Sequence, residues 1–427
     1  MTDLIESRIK VIKEGKLPEG YKRTKAGIMP VDWDGTIQAK KLFKKHTDKK
    51  HDGDLEILAA TQERGIVPRS QIGIDIQCSD EGVKGYKKVS KGNFVISLRS
   101  FQGGIEYSEY TGIISPAYTV LKPIKDISTG FYRNYFKTDT FIKRLNGAVY
   151  GIRDGKQIGY EDFGDMYVHC PPLAEQERIA EILIQCDRVI ELKEQKLDEL
   201  KQLKKEFLRK MFPAKGCDTP EIRFPGFTGA WEQRKLGDVC EIKDSARIPN
   251  SEWTESGVPY IRASDVTNEN IDGVLFISQE RYEFYKNRTG APTKDDVLFN
   301  GGGEIGKCLL IADENPIYVQ GGAVLYACTS ESSKLVGQYL KIYFETTHAK
   351  SYIDTASAGG TMKHFTLKPS QMMPILIPSV DEQEKLGTYF FNLDHLITLH
   401  QRELEETKTY KKTLAKLLLT GIVRVQG

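Results

Sequence analysis

Apolar residues recur at every seventh position in two long segments of the chain, residues 173–212 and residues 380–419. Lysine interrupts each series once, at Lys204 and at Lys411. Seven-residue spacing over several turns is typical of a helix that packs along a narrow seam. We therefore predict a helix of roughly 40 residues, about 60 Å long, in each segment. The predicted seam residues are Leu183, Ile190, Leu197 and Met211 in the first helix and Phe390, Ile397, Leu404 and Leu418 in the second.

The two segments are copies of one another. They align without a gap at a constant offset of 207 residues, so that Glu175-Gln176-Glu177 falls on Glu382-Gln383-Glu384. Two helices that each cap their own domain would explain the spacing, and so would an antiparallel pair that holds two domains at a fixed separation. The antiparallel pair is the better explanation, because both helices keep the same register and neither can bury its apolar stripe alone.

A β-rich segment precedes each predicted helix. Each one starts at a tryptophan, Trp33 or Trp231, and continues through short β-branched and aromatic runs separated by Gly, Asn and Asp. Such runs are typical of strands joined by tight turns. We predict hairpins at residues 92–104, 112–123, 295–312 and 316–328.

The predicted fold class is α+β, with two mainly β domains in pseudo-repeat that are separated and joined by two long antiparallel helices forming a coiled coil. This prediction divides the chain into four parts. They are residues 1–172 for the first β domain with an N-terminal arm, 173–212 for the first helix, 213–378 for a linker and the second β domain, and 379–427 for the second helix and a C-terminal tail.

Composition and charge narrow the function classes. Charged residues make up 28% of the chain and break every apolar run, which excludes an integral membrane protein. The first residues show no export signal, so we expect a cytoplasmic protein. The seven cysteines form no CxxC pair, which argues against a disulfide framework or a structural zinc site. A net charge of +2 does not by itself indicate nucleic-acid binding.

Two short sequence segments resemble catalytic motifs, but each lacks a residue that the motif requires. Residues 301–307 fit the phosphate loop GxxxxGK, but Cys308 stands where Ser or Thr would bind Mg²⁺, and an apolar β-like run follows. We predict a glycine-rich hairpin turn there. Asn315-Pro316-Ile317-Tyr318 resembles the adenine-methyltransferase motif NPPY, but it lacks the second proline and no glycine-rich AdoMet loop precedes it. The histidines form no HExxH metal site, so we predict a chain that catalyses no reaction.

The whole chain resembles the specificity subunit of a type I restriction-modification enzyme, in which two β-rich domains are each followed by a near-identical helix. The motifs that carry this resemblance are Pro171–Ile179, its partner Ile377–Leu386, Trp231 with Leu236-Gly237-Asp238-Val239, and Val258–Val266. The first β domain departs from the pattern, because Lys41-Leu42-Phe43 stands where LGDV would follow Trp33.

The resemblance implies that each β domain is a target recognition domain that reads one half of a split DNA sequence. It implies that the long helices fix the spacing of the two halves and dock two modification subunits, which carry AdoMet and methylate adenine. Restriction subunits would complete an ATP- and Mg-dependent nuclease. The chain itself would bind double-stranded DNA but no cofactor, metal or membrane.

Base contacts need Arg or Lys for guanine and Asn or Gln for adenine, presented on turns or strand ends. Residues of this kind are Gln62, Arg64, Arg69, Arg99, Gln102 and Tyr107 in the first domain and Arg262, Ser264, Asp265, Asn300, Lys307, Lys363 and His364 in the second. For each of them a salt bridge or a solvated turn is the alternative role. Residues 8–50 carry 13 basic and 5 acidic residues, which predicts either phosphate contacts or a solvated basic arm.

Two other functions stay open at this point. A protein-only scaffold would use the helix pair to organise partner subunits, while the β domains bind no DNA. A self-sufficient DNA methyltransferase or nuclease would need motifs that the sequence lacks. Loss of sequence-specific DNA retention by the assembled complex would favour the scaffold, and AdoMet binding by the isolated chain would favour the enzyme.

Overall fold

The computed structural model describes residues 2–52, 54–62, 64–73, 83–98, 100–147, 158–357 and 363–425. The chain divides into two compact units, the first made of residues 1–193 and 403–427 and the second of residues 194–402. Each unit therefore contains one β-rich domain together with one half of each long helix.

The first unit has the following elements. Its strands are β1 (Tyr21–Thr24), β2 (Gly27–Pro30), β3 (Phe43–His46), β4 (Leu58–Thr61), β5 (Gly65–Pro68), β6 (Lys87–Val89), β7 (Phe94–Ile96), β8 (Glu106–Tyr107), β9 (Gly112–Ile114) and β10 (Thr119–Pro123). Its helices are α1 (Thr2–Lys13), α2 (Ser100–Gly103), α3 (Thr129–Tyr135), α4 (Asp139–Gly147), α5 (Tyr160–Gly164) and the start of α6 (Leu173–Lys210), the first long helix.

The second unit repeats this plan. Its strands are β11 (Glu232–Lys235), β12 (Ile242–Asp244), β13 (Trp253–Thr254), β14 (Val258–Ile261), β15 (Phe276–Ile277), β16 (Val297–Asn300), β17 (Cys308–Leu310), β18 (Tyr318–Val319), β19 (Val324–Ala327) and β20 (Pro374–Ile377). Its helices are α7 (Ala263–Thr267), α8 (Gln279–Thr289), α9 (Gly337–Tyr343), α10 (Thr347–Ala356), α11 (Leu367–Gln371) and the start of α12 (Val380–Leu419), the second long helix.

Each unit is built around one four-stranded antiparallel sheet of the same topology. The strand order is β3-β10-β7-β8 in the first unit and β12-β19-β16-β17 in the second. In both, a pair of short helices follows the sheet, α3 and α4 or α9 and α10. The internal repeat seen in the long helices therefore extends through the β domains, and the predicted α+β fold is confirmed.

The remaining strands form four two-stranded sheets and, in the second unit, a four-stranded sheet of order β13-β15-β14-β18. Three of the four predicted hairpins are wrong. Strand β7 is the one strand among the described residues of segment 92–104, and its partner β8 lies beyond that segment, at residues 106–107. In segment 112–123, β9 pairs with β6 whereas β10 pairs with β3 and β7. In segment 316–328, β18 runs parallel to β14 while β19 joins the main sheet. In segments 112–123 and 316–328 the two strands do not pair with each other, because each has a partner far away in sequence. A local pattern does not reveal such pairing. The segment 295–312 does form the β16–β17 hairpin.

A core of aromatic and branched side chains lies between each main sheet and its helices. In the first unit Trp33 is fully buried, and its indole Nε1 donates a hydrogen bond to Glu175 Oε2 at 2.8 Å. In the second unit Trp231 occupies the corresponding core and packs against the rings of Phe212 and Tyr339. The two tryptophans thus anchor the two cores. The first β-rich segment does not start at Trp33, because strands β1 and β2 precede it.

The long helices run antiparallel within each unit. In the first unit Lys193 pairs with Glu403 at 2.8 Å, and Lys411 pairs with Asp187, so residue numbers fall along one helix as they rise along the other. In the second unit the rings of Phe207 and Tyr389 lie 5.6 Å apart. Six predicted seam residues are buried, and two are partly exposed. The buried six are Leu183, Leu197, Met211, Phe390, Leu404 and Leu418, and the partly exposed two are Ile190 and Ile397.

The repeated glutamate near the start of each long helix forms an ion pair that stabilises the fold. The carboxylate of Glu382 is buried and binds the guanidinium of Arg223 through two contacts of 2.7 Å. In the first unit Glu175 binds Arg424 in the same two-contact manner, at 2.7 and 2.8 Å. Each arginine lies in the segment that follows the other long helix. Each helix start is thus held by the chain that leaves the opposite helix.

Candidate nucleic-acid interface

Two turns of the first unit bring three of the predicted base-reading residues to one surface. Gln62 and Arg64 lie in the turn between β4 and β5, and Gln102 lies in α2, within the β7–β8 connection. All three side chains are exposed. The amide Nε2 of Gln62 donates to Gln102 Oε1 at 3.4 Å. A Cβ on Gly103 would lie 2.8 Å from Gln62 Cγ, so glycine at this position allows the two turns to approach.

Arg64 and the remaining described candidates of the first unit have intramolecular contacts. Arg64 donates to Gln71 Oε1 at 2.9 Å, and Arg69 lies over the ring of Tyr86, with 5.8 Å between its Cζ and the ring centroid. Tyr107 is half-buried and packs against Phe94. These contacts fit the salt-bridge or packing alternative as well as they fit a base contact. Arg99 lies outside the described residues.

The basic residues of segment 8–50 fall into two groups. Some make hydrogen bonds within the fold, whereas Lys45 and Lys49 act electrostatically on Lys87 of strand β6. Several are used within the fold, since Arg8 donates to the carbonyl of Ile422 at 2.8 Å and Arg23 to the carbonyl of Gly15 at 3.0 Å. By contrast, burial together with the charges of Lys45 and Lys49 lowers the pKa of Lys87. Lys87 therefore lies in the positive field of Lys45 and Lys49, and a local positive potential suits phosphate. The sequence pattern does not indicate Lys87, because strand β6 brings it near Lys45 only in the fold.

The second unit presents a glycine-rich turn at the corresponding place. Residues 301–307 connect β16 to β17, with φ of 69° at Gly303 and 80° at Gly306, a backbone region that favours glycine. Cys308 begins strand β17, so no helix follows the turn as it would in a phosphate loop. The prediction of a hairpin turn is confirmed, and the exposed Lys307 closes it.

Asn300 is fully buried at the end of β16, where its side chain holds a neighbouring helix. Its Nδ2 donates to the carbonyl of Ala263 at 2.9 Å and to Thr267 Oγ1 at 3.0 Å. This bond pair brings α7, with the exposed Ser264, to the glycine turn. In this arrangement the Asn300 amide positions the turn and has no surface with which to touch a base.

Lys363 and His364 complete the surface of the second unit. Both are exposed, and the main chain beyond them is tied to the turn, because Phe365 N donates to the carbonyl of Gly301 at 2.8 Å. Arg262 is engaged differently. Its guanidinium binds the carboxylate of Asp265 at 3.0 and 3.1 Å, and Asp265 is itself buried. Ser264, Lys307, Lys363 and His364 therefore form the accessible set in this unit.

The two surfaces occupy equivalent places in the repeat. The β7–β8 connection of the first unit and the β16–β17 turn of the second join strands at equivalent positions, the last two strands in the order of each main sheet. Their side chains differ, with glutamines in the first unit and lysine, serine and histidine in the second. Equivalent places in the repeat thus carry side chains with different hydrogen-bonding groups.

Neither a metal centre nor a membrane span accompanies these surfaces in the described part of the chain. Within the described ranges, no group of His, Cys, Asp and Glu side chains is placed to hold a metal ion. Among the same residues, no helix is both long and apolar enough to cross a membrane.

Comparison with known proteins agrees with the repeat. Residues 35–202 and 229–409 each match the type I restriction modification DNA specificity domain family. The chain is 25% identical over 277 residues to the type I restriction enzyme MjaVIII specificity subunit of Methanocaldococcus jannaschii, an alignment that covers 62% of this chain and 64% of that protein, just under two thirds of its length. It is 20% identical over 431 residues to the MjaIX specificity subunit of the same organism, covering 95% and 97%.

Two solved structures share the fold, each with a TM-score of 0.55. One is the S subunit of a type I restriction-modification system from M. genitalium, 16% identical, with coverage of 94% of this chain and 97% of that one. The other comes from a study of complex assembly and conformational transition in the type I system, 15% identical, with coverage of 92% and 99%. Because the family match extends over both halves of the repeat, the chain belongs to the type I restriction modification DNA specificity domain family.

Proposed function

We propose that this chain is the DNA-reading, non-catalytic subunit of a type I restriction-modification system, and that each unit reads one half of a bipartite DNA target. The observation that carries the proposal is the pair of equivalent surfaces on the two main sheets. Each surface is made of exposed turns that carry amide, lysine, hydroxyl or imidazole groups, which are the groups that recognise base edges.

The long helices act as the spacer between the two half-sites. They contain 38 and 40 residues, which corresponds to about 57 and 60 Å of helix. One turn of DNA rises about 34 Å, so helices of this length can span two major-groove segments on one face of the duplex. A continuous helix is stiff, and a stiff spacer would give the two half-sites one allowed separation.

The two modification subunits dock on exposed apolar positions of these helices. Each long helix carries large apolar side chains with 38–65% exposure at five positions that match at the 207-residue offset. We call these positions the outer stripe: Leu173 and Val380, Ile184 and Phe391, Val189 and Leu396, Leu192 and Leu399, Leu203 and Tyr410. Leu192 lies two positions after the seam residue Ile190, about 200° around the helix, and so faces away from the seam. Val189 and Leu203 each lie one position before a seam position, about 100° around the helix, and flank the seam.

Exposed apolar side chains that recur at equivalent positions in two copies indicate two equivalent protein contacts. Two modification subunits, one for each copy, would cover them. These partners would supply AdoMet and transfer the methyl group to adenine, and restriction subunits would supply the ATP- and Mg-dependent nuclease. The chain would act on double-stranded DNA in the cytoplasm.

Genome-wide adenine methylation, mapped in the source cell with and without the gene for this chain, tests the proposal. Loss of methylation at one bipartite sequence is the expected result, and it would reveal both half-sites and their spacing. Unchanged methylation together with intact binding to the modification subunit would favour the protein-only scaffold. AdoMet binding by the isolated chain would favour a self-sufficient methyltransferase.

A further inference from the structure

Lys137 connects two turns of the first unit, the β4–β5 turn that carries Gln62 and the β7–β8 connection that carries Gln102. It lies between α3 and α4, and its ammonium group donates to Glu106 Oε1 at 2.6 Å, to the carbonyl of Gly103 at 2.8 Å and to the carbonyl of Gln62 at 3.2 Å. An ammonium group has three N–H donors, so these three acceptors use its full capacity. One side chain therefore joins strand β8 to both turns.

The base of this side chain is fixed in the core. The backbone N of Lys137 donates to the carbonyl of Asn134 at 3.1 Å. The preceding residue, Phe136, is fully buried and packs against the rings of Phe43 and Phe94. Gly104 lies so close to Phe136 that a Cβ there would come within 2.1 Å of its carbonyl oxygen. Lys137 thus extends from a rigid corner toward the surface.

The counter-ion of Lys137 is buried. Glu106 is 1% exposed, and its second carboxylate oxygen has no hydrogen-bond partner among the described residues. Burial raises the pKa of Glu106 to about 7, although the charge of Lys137 acts in the opposite direction. A carboxylate that water hardly reaches depends on its one cationic partner, and this dependence restricts where the ammonium can lie.

Gln62 and Gln102 are the side chains that these contacts place. Lys137 binds the main chain of Gln62 itself and of Gly103, the residue after Gln102. An amide recognises adenine through two simultaneous hydrogen bonds, which requires both the amide position and its plane to be set. A shift of one turn relative to the other by about 1 Å would break such a geometry.

We infer that Lys137 is a positioning residue for sequence reading by the first unit: it holds the β4–β5 and β7–β8 turns in one arrangement and so orients the amides of Gln62 and Gln102. The inference rests on the proposed function. Lys137 acts through the two turns and does not itself contact a base. A direct contact of Lys137 with a DNA phosphate is the competing role, and it has a different experimental signature.

The test uses the assembled complex of this chain with its modification subunits and a pool of DNA with randomised half-sites. Lys137→Met keeps the aliphatic stem and removes the ammonium group, while Lys143→Met removes an exposed lysine of α4 as a matched control. Gln62→Ala and Lys307→Ala mark the half-sites that the first and the second unit read.

One half-site is identified by its response to Gln62→Ala. In that half-site, Lys137→Met is expected to lower the discrimination between correct and incorrect bases by roughly tenfold, the scale of one good base contact. Discrimination in the half-site that Lys307→Ala affects, and both half-sites in Lys143→Met, should stay at the wild-type level. Unchanged preference in both half-sites would overturn the inference. A uniform loss of affinity with a shallower salt dependence would overturn it too, because that is the signature of a phosphate contact.

A second measurement does not involve DNA. Hydrogen exchange in the purified complex should quicken about tenfold or more in both turns, residues 61–65 and 100–104, when Lys137 is replaced by Met. Unchanged exchange in either turn would contradict the inference. If Lys137→Met does not fold, Lys137→Met/Glu106→Gln removes the pair without leaving a lone buried carboxylate. Failure of the proposed function is recognised separately, since the wild-type complex would then select no DNA sequence.

Discussion

The ammonium group of Lys204 on the first long helix lies 2.6 Å from the carboxylate of Asp394 on the second. Lys204 interrupts the seven-residue apolar series, and its repeat equivalent Lys411 does so in the first unit, where it pairs with Asp187. The same lysine–aspartate contact therefore occurs in both halves of the helix pair. A single polar residue at a seam position is a known means of fixing helix register.

Replacing the two lysines should have unequal effects. Lys204 is 14% exposed and binds Glu345 at 2.7 Å in addition to Asp394, whereas Lys411 is more exposed and binds one carboxylate. Burial lowers the pKa of Lys204, but the two carboxylates outweigh it and raise the pKa above its usual value. We expect Lys204→Met to reduce the free energy of unfolding by about 2 kcal/mol and Lys411→Met by less than about 1 kcal/mol. Urea unfolding of both variants measures the difference, and equal losses would contradict the expectation.

Arg223 should be essential to the second unit. Its removal by Arg223→Ala leaves the carboxylate of Glu382, which is 1% exposed, without its cationic partner. We expect the free energy of unfolding to fall by about 3 kcal/mol, since an unpaired buried charge is costly. Arg234→Ala is the matched control, because the ion pair of Arg234 with Glu232 is exposed, and it should cost less than about 1 kcal/mol. Similar midpoints in thermal unfolding for the two variants would argue against this role.

Stability of the first unit should depend on the ionisation of Glu106. Its pKa is raised to about 7 by burial, against about 4.3 for an unfolded glutamate. The folded chain thus binds this proton more tightly than the unfolded chain, so the contribution of Glu106 to the free energy of unfolding falls as pH rises from about 4 to about 7.

Glu106→Gln removes this titration. The free energy of unfolding of the variant minus that of the wild type should therefore increase steadily between pH 5 and about pH 7. The control is Glu109→Gln, which removes an exposed carboxyl of the same unit. A pH-independent difference for Glu106→Gln would show that the buried carboxyl is not the titrating group. Chemical unfolding at several pH values provides the measurement.

The outer stripe should be needed for partner binding and not for folding. Leu192 is 65% exposed, so Leu192→Glu should change the free energy of unfolding by no more than about 0.5 kcal/mol. Leu192→Glu or Leu399→Glu alone should leave one modification subunit bound, and the double variant none. Gln195→Glu adds the same charge at an exposed polar position of the first long helix and should bind two. Native mass spectrometry counts the bound subunits, and two copies on the double variant would exclude the outer stripe as the docking surface.

Local periodicity was enough to predict the long helices, because a seven-residue series depends only on the segment that contains it. The pattern placed them at 173–212 and 380–419, and the structure has Leu173–Lys210 and Val380–Leu419. The partners of β10 and β19 were not predictable in the same way, since strand pairing joins distant segments. Sequence patterns do not reveal the contacts of Lys137 for the same reason. Its three acceptors lie in other elements, and no spacing in the sequence connects them.

Selection of DNA from a fully randomised pool, by the complex of this chain with its modification subunits, is the most direct measurement of split-site reading. The wild-type complex should select two short defined sequences separated by a spacer of one fixed length. A matched deletion of residues 194–200 and 401–407 removes one heptad, about 10 Å, from both long helices and leaves every residue of the outer stripe in place. It should change the spacer and leave both half-site sequences as they were. A continuous site, no preferred site, or altered half-sites with an unchanged spacer would contradict the role proposed for the two units and their helices.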